Sequence, residues 1–570
     1  MGKLVSPGYA RSALIGNILV PTEERILMFR GLNRKDQVSE GEMTHMKNLT
    51  GDNFPLLTPR MPRGTMALPT GAVNPIQIIS RFERIAMIAQ KSDESYAFFY
   101  NNTEVQTVTG LTAESRMVAI NTKICFFPQK TYVEIVRTGS VVSIGSFGNI
   151  EAVESVTSGT ITLGASNDRF LMNSTGSAGK YKYDDAVNIT GTLTYTDKDG
   201  VPHTDVPCEV SCIIEQVDGA NLYLPQGSFI ELTAAGATTA TFTGTVERKM
   251  PTLNVICEWN NRLWGASNID NTIYACKLGD PTNWTYYQGT NLDSYYAQQG
   301  TDEDWTGIAA YSEHLICFKQ NSMTRVYGTG PSNYQIQNAH CYGVEQGSKD
   351  SVVVINNIVY YKSTVGIMAY GGGNPYDISD KLNCTFSNVV AGTEGKKYYA
   401  SIHNDDTNTN ELMVFDIDRA MWFREDDFRF RNACTMDGRL YVIPEATTIT
   451  GLTIINPETA TESASSMQWE AVFGPFDEYI ENRKIYSRIL MRLLPYGNQT
   501  TASSAVNIYI SIDGGEWELV KACNPAEIGG DYIPIIPRRC DRYSIKVTGT
   551  GECKMKSLTR KVRKGTVNQL

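Results

Sequence analysis

Apolar and polar residues alternate with a period of two along most of this chain, the pattern of β-strands that bury one face. The stretches between these strands are rich in Asn, Asp and Gly, which tight hairpin turns require. Only Glu40–Met46 is predicted to be helical, for about two turns, with Ser39 as N-cap and Glu42 closing a capping box. The pattern predicts an all-β protein whose clearest strands are Ala97–Tyr100, Ile124–Phe127, Tyr132–Val136, Ile316–Phe318, Val352–Ile355, Val359–Tyr361 and Leu412–Phe415.

A unit of three short apolar strands joined by two polar turns recurs along the sequence. It is clearest around the Asn260-Asn261 turn, between the strands Val255–Cys257 and Leu263–Gly265. Recurrence at roughly 45–80 residues is typical of β-propeller blades, which bury their faces only by packing radially against one another. Blades are predicted near Ala13–Gly31, Tyr96–Val136, Val255–Cys276, Ile308–Gly328, Val352–Gly372 and Leu412–Leu452.

Three of the seven tryptophans fall within Cys257–Trp284. Two interpretations compete: the wall of a sugar-binding or catalytic pocket, and the interior of the repeated unit. The second is favoured because the tryptophans coincide with the strands of one unit. Trp259 and Trp264 are then predicted to pack between blades, and Trp284 to cover the outgoing loop.

Two regions interrupt the repeat and define the predicted domains. The region 139–249 is rich in Gly, Ser, Thr and Val and carries its own turns, so an inserted small β-barrel is predicted there. The region 466–570 resumes the alternation and is predicted to be a β-sandwich. The remaining segments are an N-terminal arm with the first propeller strands at 1–70 and propeller blades at 71–138 and 250–465.

The length, the net charge and the apolar runs of the chain argue against several classes of protein. At 570 residues the chain is too long to fold around one hydrophobic core of ordinary size. Its net charge of −10, from 51 basic and 61 acidic residues, argues against a protein that binds nucleic acid by neutralising phosphates. No apolar run approaches the ~20 residues of a membrane helix, and no secretory signal begins the chain, so we expect no integral membrane segment and synthesis in a cytoplasm.

The sequence nominates no catalytic, cofactor-binding or metal-binding residues. Asp406, Asn408 and Asn410 have the spacing of a calcium loop, but the required Gly and the closing Glu are missing, so a hairpin is predicted. Twelve cysteines are too dilute for a disulfide scaffold, and Cys208 and Cys212 are predicted to be buried thiols on one strand.

Two features of the sequence bear on a glycosidase function. The stretch Ser511–Val520 resembles an Asp box, but its tryptophan comes one residue early. Glycosidases need two positioned carboxylates, and Asp377 and Asp380 lie in a loop-like segment where capping or solvated roles are commoner. An enzyme is therefore not expected.

Basic residues concentrate at the C-terminus of this acidic chain. The stretch Lys554–Gly565 contains six Lys and Arg residues and no acid. Three interpretations stay open: a solvated tail, an electrostatic clamp onto an acidic surface of a neighbouring subunit, and direct DNA binding. The interface candidates are Arg560, Lys561, Arg563 and Lys564.

Five segments resemble a known family in matching order along nearly the whole chain. They are Phe29–Gly64, with its GLN-like turn and Pro-Leu…Pro-Arg segment, and Asn261–Trp284, Ile316–Gly328, Tyr342–Pro375 and Met413–Asp426. Together they resemble the propeller proteins that form tail hubs or nozzles in short-tailed bacteriophages, also called tail-stabilisation proteins.

This resemblance implies a structural virion protein in the tail, assembled in the host cytoplasm as a homohexameric ring. The implied partners are a portal-side adaptor, other tail proteins such as fibres or spikes, and genomic DNA that passes through the ring without specific binding. No cofactor is implied. The alternative is a propeller-based protein that binds or cleaves glycans at a tail or cell surface.

Overall fold

β-Strands make up nearly all the regular structure of the computed structural model, which describes residues 22–164, 169–173, 175–478, 484–494, 506–523, 531–536 and 538–564. Within these ranges the only α-helix is Ile230–Ala235, and it is too short to span a membrane. Short 3₁₀ turns occupy Thr175–Ser177, Lys349–Ser351, Asp380–Leu382 and Ala464–Ser466. The chain is all-β, as the sequence predicts.

The strands are numbered in chain order. Those before residue 250 are β1 Thr22–Ile26, β2 Met43–Lys47, β3 Leu49–Thr50, β4 Thr58–Pro59, β5 Gly64–Ala67, β6 Ala72–Arg81, β7 Arg84–Lys91, β8 Tyr96–Tyr100, β9 Thr103–Glu104, β10 Arg116–Ile120, β11 Lys123–Phe127, β12 Thr131–Thr138, β13 Val141–Asn149, β14 Ala152–Leu163, β15 Arg169–Asn173, β16 Ala186–Thr196, β17 Pro202–Ile213, β18 Gln216–Asp218, β19 Asn221–Pro225 and β20 Thr239–Arg248.

The strands after residue 250 continue the series. They are β21 Val255–Trp259, β22 Arg262–Ser267, β23 Thr272–Ala275, β24 Tyr295–Gln298, β25 Trp305–Ala310, β26 His314–Lys319, β27 Ser322–Tyr327, β28 Gln335–His340, β29 Val353–Ile355, β30 Ile358–Lys362, β31 Ile367–Tyr370, β32 Tyr376–Asp377, β33 Phe386–Thr393, β34 Lys397–Asn404, β35 Thr409–Asp416, β36 Met421–Arg424, β37 Phe430–Met436, β38 Arg439–Pro444, β39 Gly451–Ile455, β40 Gln468–Phe476, β41 Lys484–Leu494, β42 Val506–Ile512, β43 Glu518–Cys523, β44 Asp531–Pro534, β45 Arg539–Cys540, β46 Tyr543–Thr550 and β47 Lys554–Lys564.

The chain divides into two compact units. The first takes its described residues from 1–67, 365–370 and 376–570, and the second from 68–364 and 371–375. The second unit contains four four-stranded antiparallel sheets, each formed by consecutive strands: β6–β9, β10–β13, β21–β24 and β25–β28. The first strands β6, β10, β21, β25 and β29 contact one another in succession. This arrangement is consistent with propeller-like folds.

Asparagine explains why the hairpins of the second unit are so tight. The turns after β10, β21 and β29 place Asn121, Asn260, Asn261, Asn356 and Asn357 at φ values between 47° and 61°. This left-handed region disfavours most side chains but is tolerated by Asn, and two-residue turns of this kind match the twist of antiparallel strands. The Asn residues between the predicted strands are therefore explained by the left-handed backbone conformation of these turns.

The three tryptophans of Cys257–Trp284 are interior residues, as predicted. Trp259 and Trp264 are buried in a core shared by the sheets β21–β24 and β25–β28, with their ring centroids 5.7 Å apart. Trp259 Nε1 donates to the Tyr311 carbonyl (2.9 Å). Trp284 is also buried, and its Nε1 donates to the Pro281 carbonyl in the loop after β23 (2.8 Å).

The inserted region differs from its prediction in two ways. Its seven strands form one antiparallel sheet in the order β17-β16-β20-β14-β15-β19-β18, and no strand pairing among the described residues closes this sheet into a barrel. Its predicted start at residue 139 falls inside the β12–β13 hairpin, because Val141–Asn149 pairs with β12. The region does have its own core, which includes Phe170, Ile189, Leu193 and Phe242.

Polar contacts attach this sheet to the loop after β23. Lys182 Nζ pairs with Asp280 (2.9 Å), and the buried Lys277 pairs with Asp184. Asn283 Oδ1 accepts a hydrogen bond from the Ala186 N–H (2.9 Å).

In the first unit, an N-terminal strand completes a sheet from the C-terminal half. The sheet β37-β38-β39 receives β5 at its edge, with Gly451 opposite Ala67 and Ile454 opposite Gly64. A Cβ at Gly451 would lie 2.6 Å from the Met66 carbonyl oxygen, so the absence of a side chain permits this approach. The neighbouring sheet β33–β36 contacts β37 through β33.

Two five-stranded sheets occupy the predicted sandwich region. One has the order β1-β47-β41-β44 with β45 also on β41, and the other β2-β40-β46-β42-β43. They meet where the Arg560 guanidinium of the first lies over the Phe476 ring of the second, 3.9 Å from its centroid. Burial alternates strictly along β46, which identifies its inward face.

Several segment predictions are corrected by these pairings. The described part of Ala13–Gly31 forms β1, which pairs with β47 instead of forming a blade, and residues 13–21 lie outside the described residues. The spans Tyr96–Val136 and Leu412–Leu452 are each divided between two sheets. These errors share one cause: the apolar pattern gives the strands but not their partners.

The predicted helix at Glu40–Met46 is also wrong. Glu42 Oε2 does accept a hydrogen bond from the Ser39 N–H (2.9 Å), the contact of a capping box. The chain then continues as β2, because Met43 and Met46 are completely buried and pair with β40.

Candidate functional site

Two of the segments that carry the family resemblance meet in the first unit. Arg60 and Arg63 lie between β4 and β5, and Glu425 and Asp426 directly follow β36. Glu462 joins them from the segment after β39. Oppositely charged residues that are far apart in sequence therefore form one cluster, which we call the arginine–carboxylate cluster.

Arg60 is the buried centre of this cluster. Its side chain is 4% exposed and binds Glu462 in a bidentate manner, with Nη1–Oε2 at 2.8 Å and Nη2–Oε1 at 2.9 Å. Its Nη2 also donates to Asp426 Oδ2 (3.3 Å), and its Nε to Asn48 Oδ1 (2.8 Å). Such planar, paired contacts are specific to Arg and hold both partners in a fixed orientation.

Arg63 adds a second set of contacts. Its Nη2 donates to Glu425 Oε2 (2.8 Å) and to Asp426 Oδ1 (2.9 Å). Its guanidinium lies over the Phe428 ring, 4.5 Å from the centroid, and its backbone N–H donates to Glu462 (2.8 Å). Since Arg63 directly precedes β5, these contacts fix the strand that completes the sheet β37–β39.

The electrostatics of the cluster favour the ionised forms. Burial opposes the charge of Asp426, but the Arg63 and Arg60 guanidiniums outweigh it and lower the pKa of this carboxyl. Burial is likewise outweighed at Glu462, where the hydrogen bond from Arg60 lowers the carboxyl pKa. These two carboxyls are therefore ionised at neutral pH and hold no proton for general acid catalysis.

A polar cleft of about 520 Å³ opens beside the cluster. Lys47 and the exposed Asp427 lie at its edge, with their charged atoms 3.5 Å apart. The charged groups of the cleft thus pair with one another inside the chain. This arrangement suits a structural lock between the N-terminal segment and the C-terminal half better than a substrate site.

A second network fastens the same N-terminal segment further upstream. Arg34 binds Glu411 through two hydrogen bonds of 2.9 and 2.7 Å, and Arg424 Nε binds the same carboxylate (3.1 Å). Glu42 pairs with Lys381 (2.6 Å) and accepts a hydrogen bond from Asn33 (2.7 Å). Of these residues the sequence analysis singles out only Glu42, and for a capping role; the charges of Phe29–Gly64 and Met413–Asp426 were the available signal for the others.

The predicted basic cluster lies on β47, and its first member is not at the surface. Arg560 is 3% exposed; its guanidinium binds Glu478 (3.0 Å) and Glu40 (3.3 Å) within the chain. Lys561 is partly exposed and pairs with Glu23 of β1. The side chains of Arg563 and Lys564 lie outside the described residues. The interface hypothesis is corrected for Arg560 and stays a prediction for the other three.

The weaker sequence candidates lie in turns or at the end of a short strand. Residues 405–408 connect β34 and β35, and Asp406 Oδ2 accepts a hydrogen bond from the Thr385 N–H (2.8 Å), so the predicted hairpin is confirmed. Asp377 Oδ1 accepts two hydrogen bonds from Ser379, from its N–H and its hydroxyl, both 2.7 Å. Asp380 pairs with Lys35.

No family model and no curated protein matches this chain. Similar solved structures include Kluyvelomyces marxianus Hsv2, with 12% identity, 35% of this chain and 62% of that chain covered, and a TM-score of 0.24. Exo-beta-1,3-galactanase from Phanerochaete chrysosporium with galactose has 8% identity, coverage of 88% and 100%, and a TM-score of 0.19. Porphyromonas gingivalis dipeptidyl peptidase 4 has 10% identity, coverage of 74% and 65%, and a TM-score of 0.29.

The match spans less than two thirds of the Hsv2 and dipeptidyl peptidase chains. All three TM-scores are below 0.5. Neither a fold nor a function is inferred from these likenesses.

Proposed function

We propose that this protein is a structural component of a tailed-phage virion: a propeller-based hub or nozzle subunit that assembles into a hexameric ring around the DNA path. The observation that carries the proposal is the arginine–carboxylate cluster. It joins Phe29–Gly64 to Met413–Asp426, two segments that resemble tail propeller proteins. Both segments therefore contribute to one structural lock.

The finer architecture is part of the proposal. The consecutive four-stranded sheets are the blades, and their first strands line the axis of the propeller. The strand β5 completes the last blade from the opposite end of the chain. The seven-stranded inserted sheet and the C-terminal sandwich are additions to the propeller, available for contact with an adaptor or with fibres and spikes.

The charge of the chain fits a conduit. A net charge of −10 repels phosphates, so DNA passes the ring without being held. A protein that binds DNA through phosphate contacts would need an excess of basic over acidic residues on its binding surface.

The test is the particle formed by the purified full-length chain. Negative-stain images and mass photometry are expected to show rings of six copies, with six times the 63.1 kDa mass of the chain. Single 63.1 kDa particles at every concentration from nanomolar to tens of micromolar contradict the proposal. If such particles also bind or cleave polysaccharides in a glycan array or reducing-sugar assay, the glycan alternative replaces it.

A further inference from the structure

Three tyrosines converge at the outer strands of the sheet β21–β24. Tyr274 of β23 lies directly opposite Tyr296 of β24, so both side chains are on the same face of the sheet. The Tyr287 ring, from the loop between these strands, lies 5.9 Å from the Tyr296 ring at an angle of 70°. Tyr296 is 59% exposed and Tyr287 is 46% exposed. We call these three residues the tyrosine face; the opposite face of the sheet buries Trp264.

Polar groups border the exposed rings. Asp270 is exposed, and its Oδ2 accepts a hydrogen bond from the Tyr274 hydroxyl. Gln298 follows Tyr296 by two residues, so its side chain is on the same face, and its Nε2 donates to the Asp270 carbonyl (3.2 Å). A carboxylate accepts several hydrogen bonds, and an amide both donates and accepts them. The tyrosine face therefore combines apolar ring surface with hydrogen-bonding groups at its margin.

The loop that carries Tyr287 is held in place by buried hydrogen bonds. The Arg262 guanidinium is completely buried and donates to the carbonyls of Asn291 and Asp293, both at 2.6 Å. The Asp293 carboxylate in turn accepts a hydrogen bond from the Gln288 N–H (2.8 Å). A loop fixed in this way loses little conformational entropy when a ligand binds. The tyrosine face is therefore preorganised.

The charges at the margin of the tyrosine face are acidic. Asp270 lies at one side, and the acidic run Asp302–Asp304 belongs to the loop after β24. The Asn271 side chain, next to Asp270, holds this loop by donating to the Thr301 carbonyl. Carboxylates in this arrangement repel phosphate, sulfate and carboxylate groups. Anionic polymers are therefore poor ligands for these rings.

We infer that the tyrosine face binds a neutral saccharide. A pyranose ring has C–H groups on its faces and hydroxyls around its edge, so it stacks on the Tyr296 ring while its hydroxyls bind Asp270 and Gln298. Nucleobases also stack on tyrosine, but the acidic margin repels the phosphates that accompany them. A wholly apolar partner would bury these polar groups without hydrogen bonds. The inference goes beyond the proposed function and does not depend on ring assembly.

The test uses the full-length chain and an array of neutral oligosaccharides built from glucose, galactose, mannose and their N-acetylated amino sugars. We expect the chain to bind at least one of them, and Tyr296→Ala and Tyr287→Ala each to raise its dissociation constant at least tenfold. Tyr296→Phe keeps the stacking ring and should stay within threefold. The matched control is Tyr342→Ala, because Tyr342 is 51% exposed but lies outside this sheet, and it should stay within twofold. Circular dichroism and thermal melting confirm that the variants fold.

The inference is overturned if no oligosaccharide of the array binds, or if both alanine variants bind as well as the unmodified chain. Binding of decathymidine or of a tetralysine peptide that Tyr296→Ala abolishes assigns the face to another ligand and overturns it too. The same holds if Tyr296→Ala changes the mass of the assembly in mass photometry, since the face is then a subunit contact. Rings that bind no saccharide leave the proposed function standing. Saccharide binding by single 63.1 kDa particles supports the inference and contradicts the proposed function.

Discussion

At the scale of single residues, the first unit is stabilised by buried charges whose partners come from distant parts of the chain. Arg60 brings Glu462 and Asp426 together, and Arg560 does the same for Glu478 and Glu40. A buried ion pair contributes little beyond a well-packed apolar replacement, but the loss of one partner leaves an uncompensated charge. These residues are therefore more sensitive to single substitutions than surface ion pairs are.

Arg60→Met tests this sensitivity. The substitution removes the guanidinium that binds Glu462 in a bidentate manner and leaves Arg63 as the remaining arginine partner of Glu462 and Asp426. We therefore expect a loss of roughly 1.5–3 kcal/mol in unfolding free energy. Arg439→Met is the control, because the Arg439–Glu458 pair is exposed and worth less than about 1 kcal/mol. Urea denaturation measures both. Equal effects of the two substitutions would contradict a role for Arg60 as the centre of the cluster.

Glu394 gives the first unit a distinct dependence on pH. Burial raises the pKa of its carboxyl from 4.5 to about 7, and its Oε2 has no hydrogen-bond partner. The folded state therefore retains a proton that the unfolded state releases, so stability decreases as the pH rises from 4.5 to 7. We expect Glu394→Gln to remove this slope and to raise the melting temperature at pH 8. A series of thermal melts from pH 4.5 to 8 tests it, and an unchanged slope would disprove the assignment.

At the scale of elements, we predict that the rest of the chain folds without the inserted sheet. The first strand of the inserted sheet pairs with its last, with Ala152 opposite Arg248, so the two ends of the insertion lie side by side. The inserted sheet has its own cluster of buried hydrophobic residues. Removal of the sheet also removes Lys182 and Asp184, so Asp280 and Lys277 lose these two ion-pair partners.

Two deletions distinguish the boundaries. We expect that a protein in which a short glycine linker replaces residues 151–248 still unfolds cooperatively. Its melting temperature should lie within several degrees of that of the full-length chain. Deletion of 139–249 also removes β13, whose Val142 and Ile144 pack on the core of the neighbouring sheets, so we expect it to abolish cooperative unfolding. Calorimetry compares the two proteins. Loss of cooperativity in the shorter deletion would show that the insertion is integral to the fold.

At the scale of the whole molecule, the basic end of β47 is the candidate for an electrostatic contact between subunits. The basic end of β47 still has Lys561, Arg563 and Lys564 as interface candidates. Its neighbour Arg560 belongs to the interior of the sandwich.

We expect the triple substitution of Lys561, Arg563 and Lys564 by Ser to weaken ring assembly, most strongly at low salt, because the clamp acts through charge. Substitution of the exposed Lys198, Lys349 and Lys396 by Ser is the matched control and should leave assembly unchanged. Mass photometry over a series of salt concentrations compares them. Unchanged assembly in the triple variant would mean that these charges are merely solvated, and loss of DNA retention alone would favour the DNA-binding interpretation.

The sequence by itself determined the class of structure and its local units. Period-two alternation and Asn-rich turns predicted strands and hairpins correctly, because both depend on neighbouring residues: the pleat alternates side chains, and Asn tolerates the left-handed backbone of a tight turn. The burial of Trp259, Trp264 and Trp284 followed from the same repeat. These features need no knowledge of distant partners.

Only the tertiary structure decided which strands pair across long separations and where charges meet. The apolar pattern of β1, β2 and β5 would fit many sheets. Their pairing with β47, β40 and β39 depends on the register and burial of segments far away in the sequence. The same holds for the helix predicted at Glu40–Met46, where burial of Met43 overrode a local capping signal. Arg60, Arg63 and Glu462 became a site only once the chain brought them together, since a charge has no identifiable partner until the fold supplies one.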